Sequence, residues 1–173
     1  QGKDRRFDNY NTMLETGSRT LASIAAVNRW LERVKGEFNP IVTAYNLAFD
    51  RDKCDKTNID LTIFEQSFCL WYASADRWAA SKAYRQHVLD THSFNTPTEL
   101  RNMTFHTKAE TMARFVTGDP NMPDEPHTAL EDAMFYEAPI LNKLVNSTSK
   151  KKFLNPTGYN WRDYQVKDWF TPK

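Results

Sequence analysis

The first regular hydrophobic pattern begins near Ser18, after a polar stretch, residues 1–17, that shows no clear period. Apolar residues then recur at intervals of three and four positions, namely Leu21, Ile24, Val27, Leu31 and Val34. This spacing predicts an amphipathic helix with one apolar stripe. Ser18 is a suitable N-cap, and Gly36 stands where a left-handed residue commonly ends a helix. We therefore expect a helix over residues 18–35.

A short buried strand is predicted next. Asn39-Pro40 interrupts the helical pattern, and residues 41–45 form an apolar run rich in β-branched side chains. The run leads into residues 46–50, a strand exit that ends in a carboxylate. Residues 58–70 are a second apolar stretch, of ambiguous type. Residues 71–92 have a helical pattern rich in aromatic side chains.

Two further helices are predicted in the second half of the chain. Thr107 and Glu110 have the spacing of a capping box that opens a short helix, with Gly118 as its stop. After a loop with three prolines, residues 119–126, the last clear helix covers about residues 128–145. Its predicted buried stripe comprises Leu130, Met134, Leu141, Leu144 and Val145. The alternation of helix and strand predicts an α/β domain.

A change in composition after Asn146 suggests a separate tail. Residues 147–152 are small, polar and basic, which is typical of a linker or an exposed run. The residues that follow are too aromatic for a free disordered end, since they include Phe153, Tyr159, Trp161, Tyr164, Trp169 and Phe170. We expect residues 1–146 to form the C-terminal part of a domain. Residues 147–173 are expected to pack on it or to dock onto a partner, with the lysines in solvent.

Composition narrows the class of protein. The 173 residues suffice for one domain with a hydrophobic core. The net charge of +1 gives no basic field over the whole protein, so any nucleic-acid binding must come from a local basic patch. The two cysteines, Cys54 and Cys69, make neither a disulfide framework nor a zinc set, which favours a reducing, cytoplasmic setting. No apolar run approaches the roughly 18 residues that a membrane span needs, so no membrane partner is expected.

Candidate chemistry lies in two segments. Asp50 ends the strand exit, and the carboxyl end of a central strand is where α/β domains place their chemistry. His127 precedes a predicted helix, and Asp132 lies five positions later. Each residue also has an ordinary structural interpretation. Asp50 is also a common residue in a turn or at a helix cap, and His127 could be a cap or a surface residue. Asp132 could serve only to interact favourably with the helix dipole.

Together and in this order, the two segments resemble the second and third motifs of the DEDDh family of 3′→5′ exonucleases, in the ribonuclease H-like superfamily. Residues 44–50, Ala-Tyr-Asn-Leu-Ala-Phe-Asp, resemble the second motif, with Tyr45 in place of the usual His. Residues 127–132 resemble the third motif, His-x-x-x-x-Asp. The resemblance covers residues 18–146 and favours phage-type exonucleases. It implies an α/β fold with a mixed five-stranded sheet flanked by helices.

The resemblance also implies a mechanism and a substrate. Two Mg²⁺ or Mn²⁺ ions would activate water and stabilise the leaving oxygen. Asp50 and Asp132 would be metal ligands, His127 the general base, and Asn46 and Phe49 substrate-binding residues. The substrates would be single-stranded 3′ ends of DNA or RNA, with DNA slightly favoured. The setting would be the cytoplasm, that of the host if the protein is phage-encoded.

The first motif of the family, Asp-x-Glu on the first strand, does not occur in the sequence. The nearest approach is residues 13–17, Met-Leu-Glu-Thr-Gly, with Met in place of the Asp. Without the strands that carry this motif, the strand at residues 41–45 would lack sheet neighbours and would leave backbone groups unpaired. We therefore expect the N-terminal strands and the Asp-x-Glu pair to come from a further polypeptide segment or another chain.

Two alternatives stay open. The domain is either an exonuclease or a non-catalytic, exonuclease-like module that binds nucleic acid or a replication or virion partner; an Asp-x-Glu upstream of Gln1 would favour the enzyme. Likewise, the aromatic side chains at Trp71, Tyr72, Trp78 and Tyr84 either stack on nucleobases or form the packed face of a helix.

Overall fold

The structure, a computed structural model, describes residues 2–95 and 104–157, with side chains from Phe7 onward. The first half contains α1 (Gly2–Glu15), α2 (Ile24–Phe38), β1 (Val42–Ala44), α3 (Leu47–Lys56), β2 (Ser67–Cys69), α4 (Leu70–Ser74) with a π-helical turn (Ala75–Ala79), and α5 (Lys82–Asp90). The second half contains β3 (Phe94–Asn95), β4 (Thr104–Phe105), α6 (Ala109–Thr117), α7 (Ala129–Asp132) with a second π-helical turn (Ala133–Glu137), α8 (Ala138–Ser147) and α9 (Lys150–Leu154). None of the described helices is both long and apolar enough to cross a membrane.

The strands form two small sheets. β1 and β2 are parallel, with Val42 opposite Ser67 and Ala44 opposite Cys69. β3 and β4 are antiparallel, with Phe94 opposite Phe105. The fold is of the α/β class, and the predicted strand at residues 41–45 is present as β1. Within the described residues the sheets have two strands each, whereas the resemblance implies five strands in one sheet.

The core lies where α4, α5, α6 and α8 meet the two sheets. Its fully buried large side chains are Leu70, Tyr84, Val88, Phe105, Met112, Ile140 and Leu144. Tyr84 also donates a hydrogen bond from its hydroxyl to the His106 carbonyl oxygen at 2.6 Å, so its buried polar atom is satisfied. Burial of each such side chain contributes roughly 1.5–3 kcal/mol. This core fixes β1, α6 and α8, the elements that border the candidate site.

Helix α2 differs from its predicted bounds. It begins at Ile24 because the Ser23 hydroxyl accepts a hydrogen bond from the Ala26 amide at 3.2 Å and caps it, a role predicted for Ser18. It ends at Phe38, where Asn39 takes the left-handed conformation predicted for Gly36. No residue of α2 is buried within the described structure. Of the predicted stripe, Val27, Leu31 and Val34 are partly covered, whereas Leu21 lies before the helix and is 87% exposed, and Ile24 is 45% exposed.

Residues 1–17, for which the sequence shows no period, contain helix α1. Two hydrogen bonds tie it to the rest of the chain. The Asn9 side-chain amide donates to the Pro126 carbonyl oxygen at 3.4 Å, and the Tyr10 hydroxyl accepts from the Ala129 amide at 3.1 Å. Residues 13–17, the nearest approach to the first family motif, lie at the end of this helix and not on a strand.

The capping box predicted at Thr107 is wrong. Lys108 is the N-cap of α6, and the Thr107 hydroxyl instead accepts a hydrogen bond from the Trp71 indole nitrogen at 2.9 Å. This hydrogen bond to a residue distant in sequence replaces the capping role that the local pattern predicted for Thr107. The predicted stop is confirmed, since Gly118 is left-handed with φ 72° and its amide bonds to the Arg114 carbonyl oxygen.

The stripe predicted for the last helix is partly wrong. Leu144 is fully buried, but Leu130, Met134 and Val145 are 49%, 57% and 44% exposed. The π-helical turn at Ala133–Glu137 inserts one residue into the helical repeat and rotates the faces on either side of it relative to each other. From Tyr136, within this turn, the buried positions follow regular helical spacing, at Tyr136, Ile140 and Leu144.

The start of the predicted tail lies against the domain. Ser147 ends α8 and the three lysines begin α9, so residues 147–152 are largely helical and not an extended linker, but Ser147 and the three lysines are exposed, as predicted for an exposed run. The Phe153 ring packs on Phe68 with centroids 5.3 Å apart. The Thr157 hydroxyl bonds to the Asp76 carboxylate. The other aromatic residues of the tail, Tyr159, Trp161, Tyr164, Trp169 and Phe170, lie outside the described residues.

Candidate active site

Asp50, His127 and Asp132 line one open cavity, of about 600 Å³, which we call the carboxylate cavity. Its walls come from α1, β1, α3, the start of α6 and the segment from Glu125 to Glu137. The sequence separates Asp50 from the other two by most of the domain, and the fold brings all three to one place.

Asp50 reaches the cavity from the first turn of α3, and not from a turn after the strand as predicted. Asn46 makes the change of direction between β1 and α3 by adopting a left-handed conformation, φ 69°, which Asn tolerates better than most residues. The start of a helix favours a carboxylate, but burial raises the pKa of Asp50 above its ordinary value.

The two predicted substrate-binding residues are placed differently from each other. Phe49 lines the carboxylate cavity with a half-exposed ring, and the Lys53 ammonium lies 5.0 Å from the ring centroid. Asn46 does not line this cavity but an adjoining one. The turn at Asn46 therefore faces a second recess.

His127 stands at the mouth of the cavity. Its side chain is 57% exposed, and its Nδ1 lies 3.9 Å from the nearer carboxylate oxygen of Glu125. Its backbone has φ 60°, in the left-handed region that residues with a Cβ seldom occupy. Such a conformation is held by its surroundings and often marks a functional position.

Asp132 lies at the end of α7, with its amide bonded to the Thr128 carbonyl oxygen at 2.9 Å. Its Oδ1 is buried and has no hydrogen-bond partner in the described structure. Burial raises the pKa of the Asp132 carboxyl, and the nearby His127 opposes that rise. A buried acceptor without a partner is costly, and a bound cation would satisfy it.

Two further carboxylates line the same cavity, and the sequence did not single them out. Glu125 comes from the proline-containing loop and Glu137 from the π-helical turn. In a regular α-helix, positions 132 and 137 are about 1.4 turns apart and face different directions. The π turn, with its i→i+5 bonding, brings both side chains to one cavity.

The grouping of carboxylates produces electrostatic strain. Burial raises the pKa of the Glu137 carboxyl to about 7, and the negative charges of Asp50, Glu125 and Asp132 add to the effect. Burial, followed by the charge of Asp132, also raises the pKa of Glu125. These groups resist holding their charges together, and a cation among them would relieve the repulsion.

The loop that carries Glu125 and His127 is anchored from two sides. The Arg114 guanidinium donates to the Met122 carbonyl oxygen at 2.8 and 3.0 Å and to the Glu110 carboxylate at 2.6 Å. The Tyr136 hydroxyl donates to the Pro123 carbonyl oxygen at 2.8 Å. These bonds hold the loop on α6 and on the second π-helical turn, and they reduce the freedom of the site residues of the loop.

The donor chemistry of the cavity fits a hard divalent cation. Mg²⁺ and Mn²⁺ prefer carboxylate oxygens, and Asp50 and Asp132 supply them, with Asp132 contributing the unpartnered Oδ1. Over residues 2–95 and 104–157, however, no three His, Cys, Asp or Glu side chains are arranged as a set of metal ligands. The described chain supplies suitable donors but not a closed coordination shell.

Comparisons of the chain with protein-family models, with curated proteins and with solved structures return no match.

Replacing Glu137 by Gln is expected to stabilise the metal-free protein at alkaline pH. Because the pKa of this carboxyl is raised from 4.5 to about 7 on folding, the folded state loses stability as pH rises between these values. At about 1.4 kcal/mol per pH unit the full effect is about 3–4 kcal/mol, and residual solvent access reduces it. Urea unfolding in EDTA should show a gain of about 1–3 kcal/mol at pH 8 and little change at pH 4.

A matched control for this measurement is Glu32→Gln, an exposed carboxylate on α2 away from the cavity. It should leave stability nearly unchanged at both pH values. A Glu137→Gln protein that is no more stable than wild type at pH 8 would show that the Glu137 carboxylate is not strained.

Proposed function

We propose that this protein is a metal-dependent 3′→5′ exonuclease of the DEDDh class, which hydrolyses phosphodiester bonds at single-stranded nucleic-acid ends, with DNA slightly favoured over RNA. The observation that carries the proposal is the carboxylate cavity, which gathers Asp50, His127 and Asp132. These are the residues that the two motifs supply, and a shared cavity is what joint action on one phosphodiester needs.

The residues divide the chemistry between them. Asp50 and Asp132 hold the metals, which when bound activate the attacking water and stabilise the leaving 3′-oxygen. His127 accepts the proton of the attacking water, and its exposed position at the cavity mouth gives water access to it. The half-exposed Phe49 ring at the cavity wall offers a surface for the terminal base.

Two metals need more oxygen ligands than Asp50 and Asp132 provide. Glu125 and Glu137 lie in the same cavity and are available as further donors. An Asp-x-Glu pair from a further polypeptide segment or chain would complete the set. Within the described residues β1 pairs with β2 alone, so the same segment would extend this sheet towards the five strands of a ribonuclease H-like domain.

Direct assay of the full-length protein tests the proposal. A 5′-labelled single-stranded oligodeoxynucleotide should shorten progressively from its 3′ end in Mg²⁺ or Mn²⁺, and a chelator should stop the reaction. An RNA strand of the same sequence, run in parallel, would set the preference between the sugars.

Full activity in EDTA would refute the mechanism. A protein that binds the strand in both metals but never shortens it would favour the alternative, a non-catalytic module that binds nucleic acid or a replication or virion partner.

A further inference from the structure

A second cavity, of about 540 Å³, adjoins the carboxylate cavity, and we call it the aromatic cavity. Tyr45 and Lys108 line both cavities, so the two recesses are neighbours on either side of these residues. The volume of the aromatic cavity lies within the range of small-ligand sites, roughly 300–1,000 Å³. A ligand that passes Tyr45 and Lys108 would therefore reach from one cavity into the other.

Aromatic rings form much of the wall, from Trp71, Tyr72 and Phe105. The Trp71 and Tyr72 rings have centroids 5.4 Å apart and are tilted by 40°. Trp71 is fixed by the bond from its indole nitrogen to the Thr107 hydroxyl, at 2.9 Å, and Tyr72 is 40% exposed. The cavity thus presents an accessible ring beside a rigidly held one, which suits the stacking of a flat ligand.

Polar groups stand at the rim of this aromatic surface. The Asn95 side-chain amide donates to the Thr104 hydroxyl at 2.9 Å, which orients its carbonyl oxygen as an acceptor. Burial lowers the pKa of His106, so its imidazole is neutral near pH 7 and carries one donor and one acceptor. Such groups match the mixed donors and acceptors along the edge of a heterocycle.

Charge distinguishes the two cavities. Among the described residues that line the aromatic cavity, Lys108 is the one with a permanent charge, and it stands at the border with the carboxylate cavity. The carboxylate cavity holds Asp50, Asp132, Glu125 and Glu137. A ligand that fits both would place an uncharged planar group among the aromatic rings and an anionic group beside Lys108 and any bound cation.

A single-stranded polynucleotide has this alternation of planar base and anionic phosphate. We propose that the aromatic cavity binds the nucleobase of a nucleotide next to the cleaved phosphodiester bond, stacked on Tyr72, with Lys108 against the adjoining phosphate. This inference rests on the proposed function and adds to it a site that gives a structural reason for the restriction to single-stranded ends. In a duplex the bases are stacked on one another, so a double-stranded end cannot fill this cavity until it frays.

Strand binding can be measured apart from catalysis in the Asp132→Asn background with Mg²⁺, by fluorescence anisotropy. The probes are an oligothymidylate and a strand of equal length that is abasic at its 3′-terminal positions. The parent protein should bind the oligothymidylate about 5- to 100-fold more tightly, the usual effect of stacking a base on an aromatic side chain. Tyr72→Ala should bring this ratio close to one, whereas Tyr72→Phe should keep it.

Two controls separate stacking from charge and from general damage. Lys108→Ala should weaken both probes to a similar degree and lower the salt dependence of binding, because it removes a phosphate contact. Trp30→Ala removes an exposed aromatic side chain on α2 that lines neither cavity, and it should change neither affinity.

The outcomes distinguish the two proposals. Equal affinity for both probes, or a ratio that survives Tyr72→Ala, would overturn the nucleobase site even if the protein degrades DNA. A ratio that disappears in Tyr72→Ala would support the nucleobase site even if the wild-type protein shows no nuclease activity, in which case the exonuclease proposal alone would fail.

Discussion

Asp132→Asn is expected to reduce turnover by about a thousandfold or more, because the loss of a metal ligand removes several kcal/mol of charge stabilisation in the transition state. Asn keeps the size and one oxygen of Asp, but it lacks the negative charge that attracts a divalent cation. Release of nucleotides from the 3′ end of a labelled single strand, at saturating Mg²⁺, measures the effect. Turnover at the wild-type rate would contradict the assignment of Asp132 as a ligand.

The same substitution should leave the fold intact. The Asp132 carboxyl lies in a cavity with three other carboxylates and has a buried oxygen without a partner, so removing its charge relieves repulsion. The thermal midpoint in EDTA should equal or exceed that of wild type. Glu131→Gln is the matched control, because its carboxylate pairs with Arg19 at 2.5 Å and does not line the cavity. It should keep activity.

Local patterns in the sequence predict β1 and most of α2. The run at residues 41–45 predicts β1, and the stripe after Ser18 predicts α2, since both segments have the apolar spacing of these elements, although neither element contains a fully buried residue in the described part of the chain. Helix α1 escapes prediction although Phe7, Tyr10 and Leu14 have helical spacing, because this stripe is short and lies within a mostly polar segment. All three side chains are exposed, and the structure ties the helix to the domain through the hydrogen bonds of Asn9 and Tyr10.

The residues of the candidate site were likewise predicted only in part from the sequence. The order and spacing of the two motifs single out Asp50, His127 and Asp132. Glu137 joins them through a π-helical turn, and such a turn has no signature in a spacing that assumes regular helices. The same turn explains why Leu130 and Met134 were assigned to the buried stripe although both are exposed. One irregular turn therefore accounts for both errors.

Long-range hydrogen bonds are the other source of error. The Thr107 hydroxyl accepts from Trp71, so neither the capping role of Thr107 nor the fixed position of the Trp71 ring can be derived from neighbouring residues. From the sequence, the Trp71 and Tyr72 side chains could either stack on nucleobases or form the packed face of a helix. In the structure Trp71 is half-buried and Tyr72 is exposed, and both line the aromatic cavity.

Removal of the His127 imidazole is expected to slow turnover by roughly 10²–10⁴-fold, the usual contribution of a general base. The position of His127 complicates the choice of variant, because its backbone is left-handed at φ 60°. Ala is disfavoured there by about 1–2 kcal/mol, whereas Asn tolerates this conformation. His127→Ala should therefore be accompanied by His127→Asn, which removes the imidazole without the added backbone strain.

Both variants should keep the wild-type affinity for the strand and the requirement for Mg²⁺ or Mn²⁺, since the carboxylates are intact. Added imidazole should restore part of the lost turnover, because the exposed position of the side chain leaves room for a diffusible base. His92→Asn is the matched control: it makes the same change at another exposed, left-handed histidine, with φ 51°, which lines neither cavity. If both His127 variants turn over as fast as His92→Asn, another group must accept the proton.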